Sequence, residues 1–219
     1  MAALSVAAPE SDDHRAQLAA LGTKLEYLHP ALRAGEVARR SATRNHPANT
    51  AGIRAYQEHV RIIREMHIRH EGWKRLLHDH LELACNPDAT VAIGVMVGDA
   101  ATGEPKGLPR NLHRRGAATQ RAAEANAAQL ELFPARRRNE VVLSAYDLDR
   151  LQIWFLVSYR VEADGKVRIH NELSLPEEVV NGYVAKWKRR IPLPVFEMDG
   201  IEPPYEDGGG EIDIPVPFR

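Results

Sequence analysis

Residues 129–133, Gln-Leu-Glu-Leu-Phe, have the types and spacing of a short peptide that binds in a preformed groove. Gln129 carries an amide that both donates and accepts hydrogen bonds, so it can fix the register of such a peptide. Leu130, Leu132 and Phe133 supply apolar anchors, and full burial of the last two contributes on the order of 3–6 kcal/mol before ordering costs. The predicted chemistry of this segment is non-covalent binding with roughly micromolar affinity.

The pentapeptide also resembles the motif by which bacterial polymerases and repair proteins bind the ring-shaped DNA sliding clamp. The resemblance covers five of the 219 residues. It implies that the clamp is a partner and that Gln129, Leu130, Leu132 and Phe133 contact it. A second interpretation stays open, in which Leu130, Leu132 and Phe133 form a short strand or helix end within the protein's own core.

A basic, alanine-rich segment surrounds the pentapeptide. Residues 106–138 contain eight basic residues and two acidic ones, and the glycines and prolines of residues 102–109 interrupt regular structure before them. We predict a mobile basic arm at residues 102–139 that attracts DNA phosphates without reading the base sequence. The candidate phosphate contacts are Arg114, Arg115, Arg136, Arg137 and Arg138. A solvated loop without a partner is the alternative.

A cluster of histidines suggests a metal site. His67 and His70 lie three residues apart on a predicted helix, a spacing at which two ligands share a metal ion. The other candidate ligands are His78, Asp79, His80 and Cys85. On a strand, however, His78 and His80 point away from Asp79, and the chain has no second cysteine. We therefore predict neither a metal ion nor another cofactor.

Four carboxylates are candidates for a metal-dependent nuclease, which is the enzymatic alternative. Such an enzyme gathers carboxylates around a cation, and the candidates here are Asp88, Asp99, Asp147 and Glu172. The lysine expected between carboxylates at strand spacing is missing from residues 168–172. No phosphate-binding loop, nucleophile elbow or dinucleotide-binding fingerprint occurs. The sequence therefore favours a protein that is not an enzyme, and a nuclease requires at least two of these carboxylates in one cleft.

Composition limits the remaining function classes. Hydrophobic residues make up 44% of the chain, enough for one sizeable core, and the formal net charge of −1 excludes a uniformly basic coat for nucleic acid. A single cysteine, Cys85, excludes an internal disulfide and fits a reducing compartment. The apolar N-terminal residues lack the basic start of a signal peptide, so we predict a cytoplasmic protein without a membrane-spanning segment.

Helical periodicity predicts two helices in the first third of the chain. The first is capped by Ser11, places four leucines at helical spacing and ends before Pro30. The second is amphipathic, begins near Asn49 and ends at Gly72. A last amphipathic helix is predicted from Pro176, with Val179, Val180, Tyr183 and Trp187 on its apolar face.

Alternating apolar residues predict five strands, two of which are joined by a turn at Asp164-Gly165. The predicted strands are residues 81–85, 90–97, 141–146, 151–161 and 167–173. This order predicts an α+β fold in which amphipathic helices pack on a mainly antiparallel sheet. We divide the chain into an N-terminal helical segment (1–48), an α+β domain that carries the arm (49–195), and an acidic tail rich in Gly and Pro (196–219).

Two further resemblances bear on function. Residues 208–219 resemble the end of bacterial single-stranded-DNA-binding proteins, where a Gly-rich linker leads to an acidic tip that finishes in Ile-Pro-Phe. Here Arg219 follows Phe218, which favours a strand or strap on the protein's own surface over a docking tip, and the Gly and Pro content also permits disorder. Residues 72–103, 129–134 and 172–176 resemble proteins of proteobacterial plasmids and integrative elements that have no established activity.

These resemblances imply a role in replication, maintenance or takeover of a host. We therefore predict a non-enzymatic adaptor that binds the sliding clamp. A regulator that uses the arm's arginines to bind DNA directly is a further alternative, and it predicts steeply salt-dependent DNA binding without any clamp.

Overall fold

The computed structural model describes residues 13–78, 80–113 and 150–199. Several sequence predictions lie outside these residues. They are the Ser11 cap, Asp79, the pentapeptide, the five candidate phosphate-binding arginines, the strand at 141–146, Asp147 and the Gly-rich part of the tail.

Within the described residues, six strands form one sheet, and their spatial order is their order along the chain. They are β1 (Lys74–His78), β2 (Leu81–Cys85), β3 (Val91–Val97), β4 (Gln152–Ala163), β5 (Lys166–Val180) and β6 (Tyr183–Asp199). Neighbouring strands are antiparallel except β3 and β4, which run parallel with Val91 opposite Gln152 and Val97 opposite Ser158. The predicted α+β class with a mainly antiparallel sheet is confirmed.

Three helices precede the strands in the part of the chain that the structure describes: α1 (Asp13–Ala20), α2 (Leu25–Arg40) and α3 (Thr50–Glu71). The predicted start of α3 and its end at Gly72 are confirmed, since Gly72 adopts the left-handed conformation that ends a helix, with φ +67°. The prediction of one helix ending before Pro30 is wrong. Gly22, at φ +71°, separates α1 from α2, and α2 continues through Pro30 to Arg40.

Tertiary packing explains why α2 tolerates Pro30. A proline inside a helix removes a hydrogen bond and costs about 3 kcal/mol or more. Leu28 and Leu32, one on each side of Pro30, are fully buried and join the same hydrophobic cluster as Ile63 of α3 and Trp154 of β4. Burial of two leucines contributes roughly 3–6 kcal/mol, which offsets the lost hydrogen bond.

The predicted helix after Pro176 is also wrong, because those residues belong to the long hairpin of β5 and β6. Asn181 and Gly182 form its turn with φ values of 53° and 80°, the pair of positive angles that a type I′ turn requires. Register shifts between Leu175 and Val179 interrupt the pairing. They disturb the two-residue alternation of the strand, so the apolar spacing resembles that of a helix. The predicted turn at Asp164-Gly165 is confirmed, with φ values of 53° and 68°.

Hydrophobic side chains are buried on both faces of the sheet. Alternate residues of β4 belong to two different clusters, with Trp154 and Leu156 in one and Phe155 and Val157 in the other. The first cluster includes buried residues of α1, α2 and α3, so the helices pack on that face. The strand β6 ends at Asp199, four residues inside the predicted tail. No helix in the described ranges is long and apolar enough to cross a bilayer.

Candidate functional site

A segment between β3 and β4, residues 98–113, is anchored against the sheet and is called the strap below. Thr102 and Asn111 are buried, so the predicted mobile arm does not begin at residue 102. The amide of Asn111 donates hydrogen bonds to the carbonyls of His113 and Gly182 and accepts one from the backbone N–H of Val184, each 2.8 Å long. These bonds connect the strap to the turn between β5 and β6.

An ion pair beneath the strap joins Glu172 of β5 to Arg190 of β6. Glu172 is fully buried and accepts hydrogen bonds from the guanidinium of Arg190, from Ser174 Oγ at 2.6 Å and from the backbone N–H of Gly103 at 2.9 Å. Arg190 also donates to the carbonyls of Glu104 and Gly107, at 3.1 and 2.6 Å. Each carboxylate oxygen of Glu172 therefore has two hydrogen-bond donors. We call this ion pair and its hydrogen bonds to residues 103–107 the clasp, because they hold the strap against the sheet.

The four candidate nuclease carboxylates do not share a site within the described residues. Asp88 is exposed at the turn before β3, whereas Asp99 follows the other end of that strand. Asp99 accepts hydrogen bonds from the backbone N–H groups of Ala101 and Arg110, both at 3.1 Å, which shape the strap. Glu172 is engaged in the clasp, and Asp147 lies outside the described residues. This arrangement does not favour a nuclease centre.

The candidate metal ligands are also separate. In the described part of the chain, no group of three or more His, Cys, Asp or Glu side chains is placed to hold a metal ion. His67 is fully buried, with its Nδ1 2.7 Å from the carbonyl of Ile63 and its Nε2 2.8 Å from Thr23 Oγ1. A carbonyl can only accept, so Nδ1 carries the proton and Nε2 accepts from Thr23. His67 is therefore part of the core.

A cleft of about 680 Å³ lies between the helices and the sheet, and we call it the helix–sheet cleft. Its walls come from α2, the first turns of α3, strands β3 to β5 and the end of the strap. Four of its apolar side chains are 41 to 49% exposed: Ile53, Tyr56, Val97 and Leu112. The volume suits a small organic molecule, and exposed apolar groups in a concave surface are typical of binding sites.

A buried carboxylate, Glu36 of α2, lines the helix–sheet cleft. Arg160 of β4 donates two hydrogen bonds to it, 2.8 and 2.9 Å long, and Arg40 donates a third of 2.8 Å. Burial acts to raise the pKa of Glu36, but the hydrogen bonds from Arg160 and then Arg40 outweigh it and hold the pKa below its ordinary value. Arg160 also pairs with Glu162 at 2.7 Å.

Two further side chains give the helix–sheet cleft its polar character. Arg39 lies 3.9 Å from a carboxylate oxygen of Glu36, which is a long distance for an ion pair. Its guanidinium donates no hydrogen bond within the described residues. Burial, and then the positive charge of Arg39, lower the pKa of His59 to about 4, so its imidazole is neutral at pH 7. His59 lies against Gly35, where an added Cβ would be 2.0 Å from Nε2, so a larger residue at position 35 would require the imidazole to move.

Of the residues proposed as functional from the sequence, none that the structure describes lines the helix–sheet cleft. The sequence carries only weak signals of this cleft: Arg160 lies between Tyr159 and Val161 in a predicted strand, and Glu36 lies on the buried face of an amphipathic helix. Comparison of the chain with protein-family models, with curated proteins and with solved structures gave no match in any of the three cases.

Proposed function

We propose that the protein is a non-enzymatic adaptor that binds the bacterial DNA sliding clamp through Gln129, Leu130, Leu132 and Phe133. The arginines on both sides of this peptide would hold the protein against DNA phosphates. The observation that carries the proposal is the length of the chain between the strap and β4, in which the peptide lies. This stretch is much longer than the distance between its two ends requires.

The excess follows from the positions of the strap and β4. Asn111 forms a bridge with Gly98, and the N–H of Leu112 donates to the carbonyl of Val97, so the strap ends beside the end of β3. The strand β4 begins at Gln152 opposite Val91, at the start of β3. Six residue steps along a strand separate these ends, a span of about 20 Å.

Fewer than ten extended residues cover that span. The sequence supplies the stretch 114–149, whose fully extended length is on the order of 120 Å. Connections much longer than their span are commonly binding segments or linkers. A peptide within such a connection can bind a partner without changing the pairing of β3 with β4.

Exposed charge at the end of the strap supports the DNA part of the proposal. Lys106 and Arg110 are both exposed and precede Arg114 and Arg115 in the sequence. Basic residues in such a row attract phosphates by a sequence-independent, salt-dependent interaction. The contact would strengthen binding to a clamp that already encircles DNA, because the second interaction becomes intramolecular.

The test is binding of the purified full chain to a bacterial sliding clamp, measured by surface plasmon resonance. We expect micromolar affinity for the wild type and at least a hundredfold loss for Leu132→Ala with Phe133→Ala. The melting temperature should stay within about 2 °C of the wild type, because a binding peptide adds little to the core.

A matched control removes a leucine that the clamp should not contact. Leu108 is 82% exposed on the strap, and Leu108→Ala should bind the clamp as the wild type does. Absence of clamp binding by a folded wild type would refute the proposal. A fall of 10 °C or more in the double variant would show that the pentapeptide belongs to the core. Salt-dependent DNA binding without any affinity for the clamp would favour the direct DNA-binding regulator instead.

A further inference from the structure

We propose that the helix–sheet cleft binds a small amphipathic carboxylate, a molecule with one negative charge and an apolar body of about 10 to 15 carbon atoms. This site is separate from the pentapeptide, and the inference does not depend on the proposed function. It rests on three observations: the size of the cleft, its exposed apolar wall and an incompletely paired arginine.

The apolar wall accounts for the body of the ligand. Ile53 and Tyr56 on α3 face the same cleft as Val97 of β3 and Leu112 of the strap. Each of these four side chains keeps 41 to 49% of its surface exposed. Gly52, on the same helix, has no atom within 4 Å of the position that a Cβ would occupy. An apolar group that covers this wall therefore removes the exposed part of these side chains from water.

The charged side chains that line the helix–sheet cleft account for the negative charge of the ligand. Arg39 has donors that no acceptor satisfies within the described residues, and the Nη1 group of Arg160 likewise donates no hydrogen bond there. A carboxylate accepts two parallel hydrogen bonds from a guanidinium, so Arg39 is matched to it in geometry as well as in charge. The first turn of α3, which has no side-chain cap from Asn49, also lines the cleft.

The buried carboxylate of Glu36 limits the ligand to a single negative charge. Arg160 and Arg40 donate hydrogen bonds to this carboxylate, and Arg39 lies 3.9 Å from it. A dianion such as a phosphate monoester would bring a second negative charge close to Glu36, where repulsion is poorly screened. His59 is neutral at pH 7 and supplies no positive charge to offset it.

The experiment measures binding of three naphthalene compounds to the full chain by isothermal titration calorimetry. 1-Naphthoate carries one negative charge, 1-naphthalenemethanol is a neutral analogue and 1-naphthyl phosphate is a dianion. We expect a dissociation constant on the order of 100 µM for 1-naphthoate, as a ligand of this size allows. The alcohol and the phosphate should each bind at least tenfold more weakly.

A pair of variants tests the role of Arg39. Arg39→Gln should weaken 1-naphthoate binding about tenfold and leave the alcohol unchanged. Arg69→Gln removes the same charge from an exposed position in the last turn of α3, outside the cleft, and should bind 1-naphthoate as the wild type does. Amide chemical shifts provide a readout that needs no variant, with the largest changes expected at Gly52, Val97 and Leu112.

Three comparisons would overturn the proposal even if 1-naphthoate binds. They are equal binding of the acid and the alcohol, tighter binding of the phosphate, and shift changes by 1-naphthoate that lie outside the helix–sheet cleft. Absence of 1-naphthoate binding at millimolar concentration would also overturn it. None of these results bears on clamp binding, which is tested with variants of other residues and with a different partner.

Discussion

Acidification should destabilise the fold because His67 is buried in its neutral form. Burial lowers the pKa of His67 to about 4, against an ordinary value of 6.5 in the unfolded chain. The unfolded state therefore binds a proton first as the pH falls, so the stabilisation is complete above pH 6.5 and is lost between pH 6.5 and pH 4. For these two pKa values, the loss between pH 8 and pH 5 is about 2 kcal/mol.

The variant His67→Gln separates this effect from other titrations. It keeps a polar side chain near Thr23 and Ile63 but cannot be protonated, so it should be less stable than the wild type at pH 8. Between pH 8 and pH 5, however, the difference in the free energy of unfolding should shrink by about 2 kcal/mol. Trp73, whose ring centroid lies 4.5 Å from that of His67, reports on unfolding in urea through its fluorescence.

A second variant provides the control. Thr23→Val removes the hydroxyl that donates to Nε2 but retains the buried histidine, so it should lose stability at pH 8 and keep a pH dependence of the same sign as the wild type. The reasoning is refuted if His67→Gln and the wild type lose the same free energy between pH 8 and pH 5. His59, whose pKa is also lowered to about 4, contributes to both proteins in the same direction and cancels in the comparison.

Two further predictions concern the strap and are checked by urea unfolding. Arg190→Met leaves the buried carboxylate of Glu172 without its cation and should lower the free energy of unfolding by about 3–5 kcal/mol. Adding Glu172→Gln should recover part of this loss. An Arg190→Met variant as stable as the wild type would contradict the structural role of the clasp. Gly107→Ala places a Cβ 2.6 Å from the backbone oxygen of Ala101 and should cost about 1–3 kcal/mol. Gly52→Ala, whose added Cβ meets nothing within 4 Å, should be neutral or stabilising by up to about 1 kcal/mol, and equal losses in the two alanine variants would argue against a steric cause.

Local sequence signals were sufficient to predict an element where the apolar periodicity and the residues at its ends indicate the same structure. The amphipathic pattern of α3 predicted its start near Asn49, and Gly72 marked its end. The hairpin of β4 and β5 was predicted from Asp164-Gly165, because few residue pairs adopt two successive positive φ angles without strain. These predictions needed no knowledge of distant residues.

Local signals were misleading where two structures fit one pattern. The apolar spacing after Pro176 suits a helix, yet Asn181-Gly182 turns the chain so that β6 pairs with β5 along its length. The strand β1 was not predicted, since only Leu76 of its five residues is buried and its pairing with β2 defines it. Pro30 predicted a helix end because a proline inside a helix removes a hydrogen bond. Packing of α2 on α3 and the sheet offsets that loss, so the helix continues beyond Pro30.

The sequence by itself determined the class of fold, the bounds of α3, most of the strands and a pentapeptide with the chemistry of a docking motif. Only the tertiary structure decided which charged residues are buried together. Glu36 and Arg160 lie 124 residues apart in the chain, and Gly103 and Glu172 lie 69 apart. No periodicity pairs such residues, because a buried ion pair is favourable only where folding brings complete sets of donors and acceptors within hydrogen-bonding distance.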